Sequence, residues 1–336
     1  MIVLGIETSC DETAVAIVDE NKKIFANKIF SQIDLHKKFG GVVPEIAARS
    51  HVEILPQLIE DALSEAKLSI SDIDAFAATG GPGLIGGVMV GVMYAKTLSS
   101  IQKKPFIAIN HLEGHALTIR LVSDINYPYL LLLISGGHCQ IIAVEGLGKY
   151  KILGRTLDDA VGEAFDKVAK MLDLGYPGGP IVEKYAKLGD KKAYKFPKPL
   201  PNTSDFSFSG LKTSVRNQIH KIKDISEKDK RDICASFQYT VSEILINKLR
   251  YSVKNLPMGY DNIVIAGGVA ANLYIRNRVS DEMGEIGYKV LYSPVDLCTD
   301  NAAMIAWTAI ERLQQGDKSD LGFKPKSRWN MNEIIY

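Results

Sequence analysis

The sequence predicts an α/β protein built from two similar lobes, and three observations carry that expectation. A strand–turn–strand start followed by alternating helices and strands occurs once from residue 2 and again from about residue 129. Gly-rich turns stand at the ends of several predicted strands. Hydrophobic residues make up 46% and charged residues 24% of the 336, the balance of an ordinary globular protein with ample core. The likeness between the halves is one of pattern, without a residue-level repeat.

The elements follow in order. Residues 2–8 are an apolar run, "TSCDET" turns, and "AVAIVD" runs apolar again, which reads as a strand pair with "KIFANKIFS" as a third strand. The stretch from Pro44 to about Lys67 has helical spacing, with a kink expected at Pro56. "AFAATG" reads as a buried strand, "GPGLIGG" leads into a helix of small residues to about Ser100, and "PFIAIN" is a strand that runs into a histidine pair. The second series opens with "YLLLLISGGHCQIIAVE", a strand, a Gly-Gly turn and a strand, and "KYKILGRTL" supplies a third. Residues 158–172 are an amphipathic helix, and 176–212 read as a basic, Pro-containing loop region. A helix at about 229–254, the strand–turn–helix "NIVIAGGVAANLYIRNRV", the strand "KVLYSPV" and the helix "DNAAMIAWTAIERLQQ" complete the half. The expected division is an N-terminal lobe over 1–125 and a C-terminal lobe over 126–336, with a basic insertion at about 176–228.

Bulk properties exclude several classes. The net charge is +1, so any surface for nucleic acid has to be local. Cys10, Cys139, Cys234 and Cys298 lie far apart with no C-x-x-C pair, against a zinc ribbon or redox dithiol. Free thiols of a reducing compartment, and hence a cytoplasmic protein, are expected. The N-terminal apolar run reaches Glu7 too soon for a signal sequence, and no stretch is long and apolar enough to span a membrane.

The chemistry centres on "NHLEGHAL", residues 110–117. His111 and His115 are four apart and lie on one helix face, about 40° from eclipsed. Glu113 is about 200° round the helix from His111. The zinc-protease signature needs the glutamate beside the first histidine, so this one is badly placed as a hydrolytic base. The pair follows directly on a predicted strand, where ligands gather in α/β sheets. A third ligand has to come from elsewhere. Asp300 also follows a strand, although its position at a helix start equally suits N-capping. The turns "ETSCDET", "SGGH" and "AGGVAAN" expose backbone N–H groups that suit an anion. "GGPGLIGG" lacks the G-K-[ST] ending of a phosphate loop.

The ordered set "GIETSCDETAVAIV", "GGVVPEIAARSH", "GGPGLIGG", "NHLEGHA", "SGGHCQ", "GEAFDKVAKMLDLGYPGGP", "FSFSGLKT", "ASFQ", "AGGVAAN" and "CTDNAAMIAW" resembles the TsaD family, the tRNA threonylcarbamoyltransferases once called glycoproteases, in its bacterial or organellar branch. The quoted motifs run from Gly5 to Trp307, nearly the whole chain. The resemblance implies two ribonuclease-H-like lobes of the actin/Hsp70/sugar-kinase fold around a nucleotide cleft. It implies transfer of threonylcarbamoyl from threonylcarbamoyl-AMP to N6 of the adenosine at position 37 of tRNAs that read ANN codons, forming t6A. It further implies one divalent ion, Fe(II) in preference to Zn(II), at His111, His115 and Asp300, expected to be shared by the two lobes. Threonylcarbamoyl-AMP, or ATP or ADP, is placed by Ile134, Ser135, Gly136, Gly137 and His138, by Asp166, Gly179 and Glu183 near the ribose, and by Asn272. Asp11 and Glu12 are the candidate catalytic carboxylates. The implied partners are tRNA, a TsaB-type paralogue and a TsaE-type ATPase, with the adenylate made by a TsaC-type enzyme and no membrane. The sequence departs from the family pattern at Cys139, in place of threonine, and in the ending "KSRWNMNE".

Two basic stretches suit tRNA phosphates. Residues 187–199 carry five Lys and one Asp, and 212–223 carry three Lys and one Arg with no acid. The alternatives are a metallo-endopeptidase, which rests on the histidine pair alone, and an ATPase or sugar kinase of the same fold, which needs no such pair.

Overall fold

The computed structural model describes residues 1–334. The chain forms two compact units, the first from Met1–Ile125, Leu147–Lys149 and the segment from Asp300 onward, the second from Asn126–Gly146 and Tyr150–Thr299.

In the first unit, β1 (Ile2–Glu7), β2 (Glu12–Asp19), β3 (Ile24–Ser31), β4 (Ala75–Gly81) and β5 (Phe106–Asn110) make one sheet in the order β3-β2-β1-β4-β5. β1 is antiparallel to β2 and parallel to β4, and β4 is parallel to β5. Near-continuous apolar runs in β1 and β4 suit strands covered on both faces. Side chains alternate along β1, so its two faces have different partners. Leu4 and Ile6 enter a core with Leu55 and Ile59 of α2 (Pro44–Ala66) and Val88 and Val92 of α3 (Ile85–Gln102). The opposite face carries Val3, Gly5 and Glu7. Helix α10 (Ala302–Gln314) lies on it so closely that a Cβ at Gly5 would sit 2.7 Å from the Ala302 carbonyl oxygen.

The second unit repeats the arrangement. β6 (Tyr129–Ile134), β7 (Cys139–Gly146), β8 (Lys149–Arg155), β9 (Asn262–Ala266) and β10 (Lys289–Tyr292) stand in the order β10-β9-β6-β7-β8, with β6 antiparallel to β7 and parallel to β9. Leu130, Leu132 and Ile134 pack with Ile263 and Ile265, and with Phe165 of α5 (Val161–Met171) and Phe237 of α8 (Glu227–Lys254). Those two rings meet edge to face at 5.0 Å, a favoured aromatic geometry.

Several features differ from the sequence expectation. The expected C-terminal lobe runs on to residue 336, yet the segment from Asp300 belongs to the first unit. α10 is buried nearly all round and covers β1 and β2, a non-local pairing that chain order hides. The region that reads as loop holds α6 (Gly178–Ala186) and α7 (Ser209–His220). α6 opens Gly-Gly-Pro, which reads as a breaker, but proline is tolerated in the first turn of a helix. A short α1 (Ile33–Lys37) has no counterpart in the sequence expectation. Helix α2 continues through Pro56.

Candidate functional site

The histidines are positioned by α4 (His111–Val122), which starts where β5 ends. Asn110 caps it, accepting from Leu112 N at 2.9 Å and Glu113 N at 3.3 Å. The Asn110 amide donates to the Trp329 carbonyl at 3.0 Å, so part of the divergent ending "KSRWNMNE" anchors the cap. Gly114 lets α4 close on α10, since a Cβ there would touch Ile305 at 3.1 Å and Met304 at 3.3 Å. That approach brings Asp300, two residues before α10, to the histidines.

Both imidazoles turn Nε2 towards the same oxygen. Nε2 of His115 is 3.1 Å and Nε2 of His111 is 3.5 Å from Asp300 Oδ1. The rings stand nearly perpendicular, 4.8 Å apart. The three potential ligand atoms lie within 4.8 Å of one another. The fit to a divalent ion is good: two imidazole nitrogens and one carboxylate converge on a point and leave coordination positions open. Asp300 is not the helix cap. Asn301 takes that role by accepting from Met304 N at 3.0 Å, which leaves the neighbouring carboxylate for the histidines. The expectation of an ion shared between lobes is corrected here, because all three donors belong to the first unit.

Behind the histidines lies Glu7, which the sequence did not single out. It is fully buried, and Oε2 is 3.0 Å from His111 Nδ1 and accepts from the Thr79 hydroxyl. Oε1 accepts from Ser9 N at 2.5 Å, and the Ser9 hydroxyl also reaches His111 Nδ1, at 3.2 Å. Burial opposes ionisation of Asp300, but the adjacent imidazoles hold its carboxyl well below the usual range. Burial likewise opposes charge on His111, and Asp300 and Glu7 outweigh it to raise its pKa well above the ordinary imidazole value. A proton on His111 and a bound cation thus answer the same negative field.

The turn between β1 and β2 is tied from behind. Leu84 N donates to the Ser9 carbonyl at 2.8 Å, His51 Nε2 meets the Cys10 carbonyl at 3.1 Å, and Gln32 N donates to the Asp11 carbonyl at 3.0 Å. His51 comes from "PEIAARSH" and also bonds Thr13 through Nδ1 at 2.8 Å. In "GGPGLIGG" a Cβ at Gly87 would sit 2.3 Å from the Thr8 carbonyl oxygen, so that glycine serves close packing of α3 on the turn. Asp11 is buried, and burial pushes Glu12 well above the carboxylate range, with Asp11 and Asp300 adding to the effect.

Glu113 faces away from the histidines, as its helical position predicts. It is fully buried and holds the Arg312 guanidinium through both oxygens, with Nε to Oε2 at 3.3 Å. A carboxylate committed to that ion pair is no hydrolytic base at the histidine centre.

The remaining candidates lie together in the second unit. Ile134 ends β6, and Ser135 caps its own turn, its N–H donating to the His138 carbonyl at 2.8 Å and its hydroxyl accepting from His138 N at 3.0 Å. A Cβ at Gly136 or Gly137 would meet nothing within 4 Å, so packing does not call for glycine at this exposed turn. Gly162 N, in α5, donates to the Ser135 carbonyl at 3.2 Å, and Gly267 packs its Cα against the Ile134 carbonyl. Asn272 caps α9 (Leu273–Gly284), accepting from Ile275 N at 3.0 Å, and donates to Gln238 at 2.8 Å. Asp166 accepts from Gly178 N at 2.7 Å, and Glu183 of α6 accepts from Leu273 N at 3.0 Å. Gly179 is sterically open. These contacts connect the Gly-Gly turns of β6 and β9 to the start of α6.

A profile of the TsaD family, described as tRNA N6-adenosine threonylcarbamoyltransferase, matches residues 23–307. The chain belongs to the TsaD family. Relatives named tRNA N6-adenosine threonylcarbamoyltransferase include those of Rickettsia rickettsii (strain Sheila Smith), 57% identical over 99% of this chain and 98% of the relative, and Rickettsia bellii (strain OSU 85-389), 57% identical over 99% of each. Distant solved structures share the fold. HypF from T. kodakarensis aligns with TM-score 0.62 at 12% identity, covering 99% of this chain and 49% of HypF. Component A of (R)-2-hydroxyglutaryl-CoA dehydratase from Acidaminococcus fermentans aligns with TM-score 0.55 at 18% identity, covering 94% and 99%. The family's fold is the actin/Hsp70/sugar-kinase architecture, seen here as two mixed sheets of equivalent strand order.

Proposed function

We propose that this chain transfers the threonylcarbamoyl group of threonylcarbamoyl-AMP to N6 of adenosine 37 in tRNA, with a divalent ion at His111, His115 and Asp300 and the adenylate on the Gly-Gly turns of the second unit. The observation that carries the proposal is the convergence of two Nε2 atoms on Asp300 Oδ1 in a chain 57% identical to transferases of that name.

The donor is a mixed carbamoyl–phosphate anhydride, so AMP leaves readily. The difficult partner is the adenine amine, a weak nucleophile, and catalysis rests on positioning and carbonyl polarisation. A bound Fe(II) or Zn(II) ion supplies Lewis acidity at the carbamoyl oxygen or holds an anionic group of the donor. The open backbone of Ser135–His138 takes the phosphate or acyl part, a use that explains two glycines packing does not require. Asp166, Gly179 and Glu183 lie against the ribose, and Asn272 orients the nucleotide from its helix start. Asp11 and Glu12 orient the amine and take up its proton, held in place by the tied carbonyls of their turn.

For tRNA, α5 and α7 flank a pocket of about 360 Å³ lined by Lys167, Lys170, Met171, Lys212, Thr213 and Arg216. Lys167 is paired with Asp159 and Glu163, and Lys212 with Asp159. Lys170 and Arg216 are exposed, as are Lys191, Lys192 and Lys195 of the other basic stretch, and these suit phosphate contacts. A TsaB-type partner suits α3, where Ile85, Met89 and Met93, spaced by four, are each about half exposed. The TsaE-type ATPase and the TsaC-type source of adenylate enter with the family.

The test is reconstitution with threonylcarbamoyl-AMP, unmodified tRNA and the partners, read by nucleoside mass spectrometry. Threonylcarbamoyladenosine is expected. Its absence while a control transferase succeeds would refute the proposal.

A further inference from the structure

We infer that Glu7 is the positioning residue of the metal centre, holding the Nδ1–H of His111 so that Nε2 of that ring is presented as the ligand. The inference rests on the metal reading above and adds a residue to it. Glu7 stands at the end of an apolar strand with no exposure, where an acid is costly unless hydrogen-bonded. All its contacts fit an acceptor: Ser9 N and the Thr79 hydroxyl both donate to it. The His111 nitrogen 3.0 Å away therefore carries a hydrogen, so when a cation takes the place of the Nε2 proton that faces Asp300 Oδ1, the tautomer that remains is the one with Nε2 as the ligand. Its direction follows from strand alternation, since Glu7 shares the β1 face of Gly5, the face that α10 covers. With Gln at this position, an amide N–H turned to Nδ1 would select the opposite tautomer and remove the ligand.

The experiment uses the full chain, stripped with chelator, with Zn(II) affinity measured by competition and Co(II) absorption reporting the coordination. Glu7→Gln is expected to weaken Zn(II) binding by about 10–100-fold and to alter the Co(II) spectrum. In a His111→Ala background the same change is expected to cost nothing further, because Glu7 acts through that ring. Unchanged Zn(II) affinity in Glu7→Gln, or a full additional loss on His111→Ala, would overturn the inference. Melting in chelator checks the fold. Should Glu7→Gln not fold, Thr79→Val replaces it in the same cycle, with a smaller loss expected that again vanishes without His111, and no loss counts against the inference. A wild-type chain that binds no Zn(II) defeats the metal reading itself, whereas wild-type binding beside an unaffected variant defeats the role of Glu7 alone.

Discussion

His115 and Asp300 are the residues whose loss separates a metal centre from a pair of packed histidines. His115→Ala and Asp300→Ala should each bring metal content, read by elemental analysis, to background and lower transfer about 100-fold or more. Retained metal with full activity would remove these donors from the centre. Glu113→Gln should behave differently. It removes one of the two carboxylates of the buried Arg312, leaving Asp317 at 3.1 Å, and should cost up to about 3 kcal/mol, seen as a lower urea midpoint, with metal per folded chain unchanged. The histidine pair was legible because helical spacing is local. Asp300 was reached only through the family resemblance, since an aspartate before a helix equally reads as a cap, and the structure shows that Asn301 does the capping. Glu7 was invisible because its partners at residues 79 and 111 are joined to it through sheet pairing and not through any sequence period.

At the scale of elements, β1 and α10 form the contact on which the centre depends. Gly5→Ala would drive a Cβ into backbone atoms of α10 at 2.7 Å and should destabilise by about 1–3 kcal/mol. Gly114→Ala meets only side-chain atoms, of Ile305 at 3.1 Å and Met304 at 3.3 Å, which must give by a few tenths of an ångström, and helix propensity returns about 1 kcal/mol, so it should cost less than Gly5→Ala. Thermal melts of the two variants check the ordering, and a Gly5 variant as stable as wild type would contradict the close packing. Strands were legible in the sequence because apolar runs of strand length bounded by turn residues are specific, and the twofold strand–turn–strand pattern pointed to both sheets. α6 went unread because it begins with residues that usually break helices. α10 was read as a helix but not placed, since Ala302–Ile310 is almost wholly apolar, which marks it as buried without saying beneath which sheet.

For the whole molecule, a near-neutral net charge confines nucleic-acid binding to patches. Lys170→Glu with Arg216→Glu should weaken tRNA binding and flatten its dependence on salt by roughly 0.9 logarithmic units for each phosphate no longer neutralised. An unchanged slope in filter-binding titrations would move the tRNA surface elsewhere. Met89→Asp should break association with a TsaB-type partner in size-exclusion runs while leaving the melting temperature close to wild type, because the side chain is about half exposed. The path of the chain has one more consequence. Asp300 follows His115 by 185 residues, and the second unit is threaded between them. On the ribosome both imidazoles emerge long before their carboxylate, and α10 has yet to cover β1. A chain interrupted anywhere in the second unit carries two of the proposed donors and not the third, so an ion at this centre would be held only once Asp300 has been made.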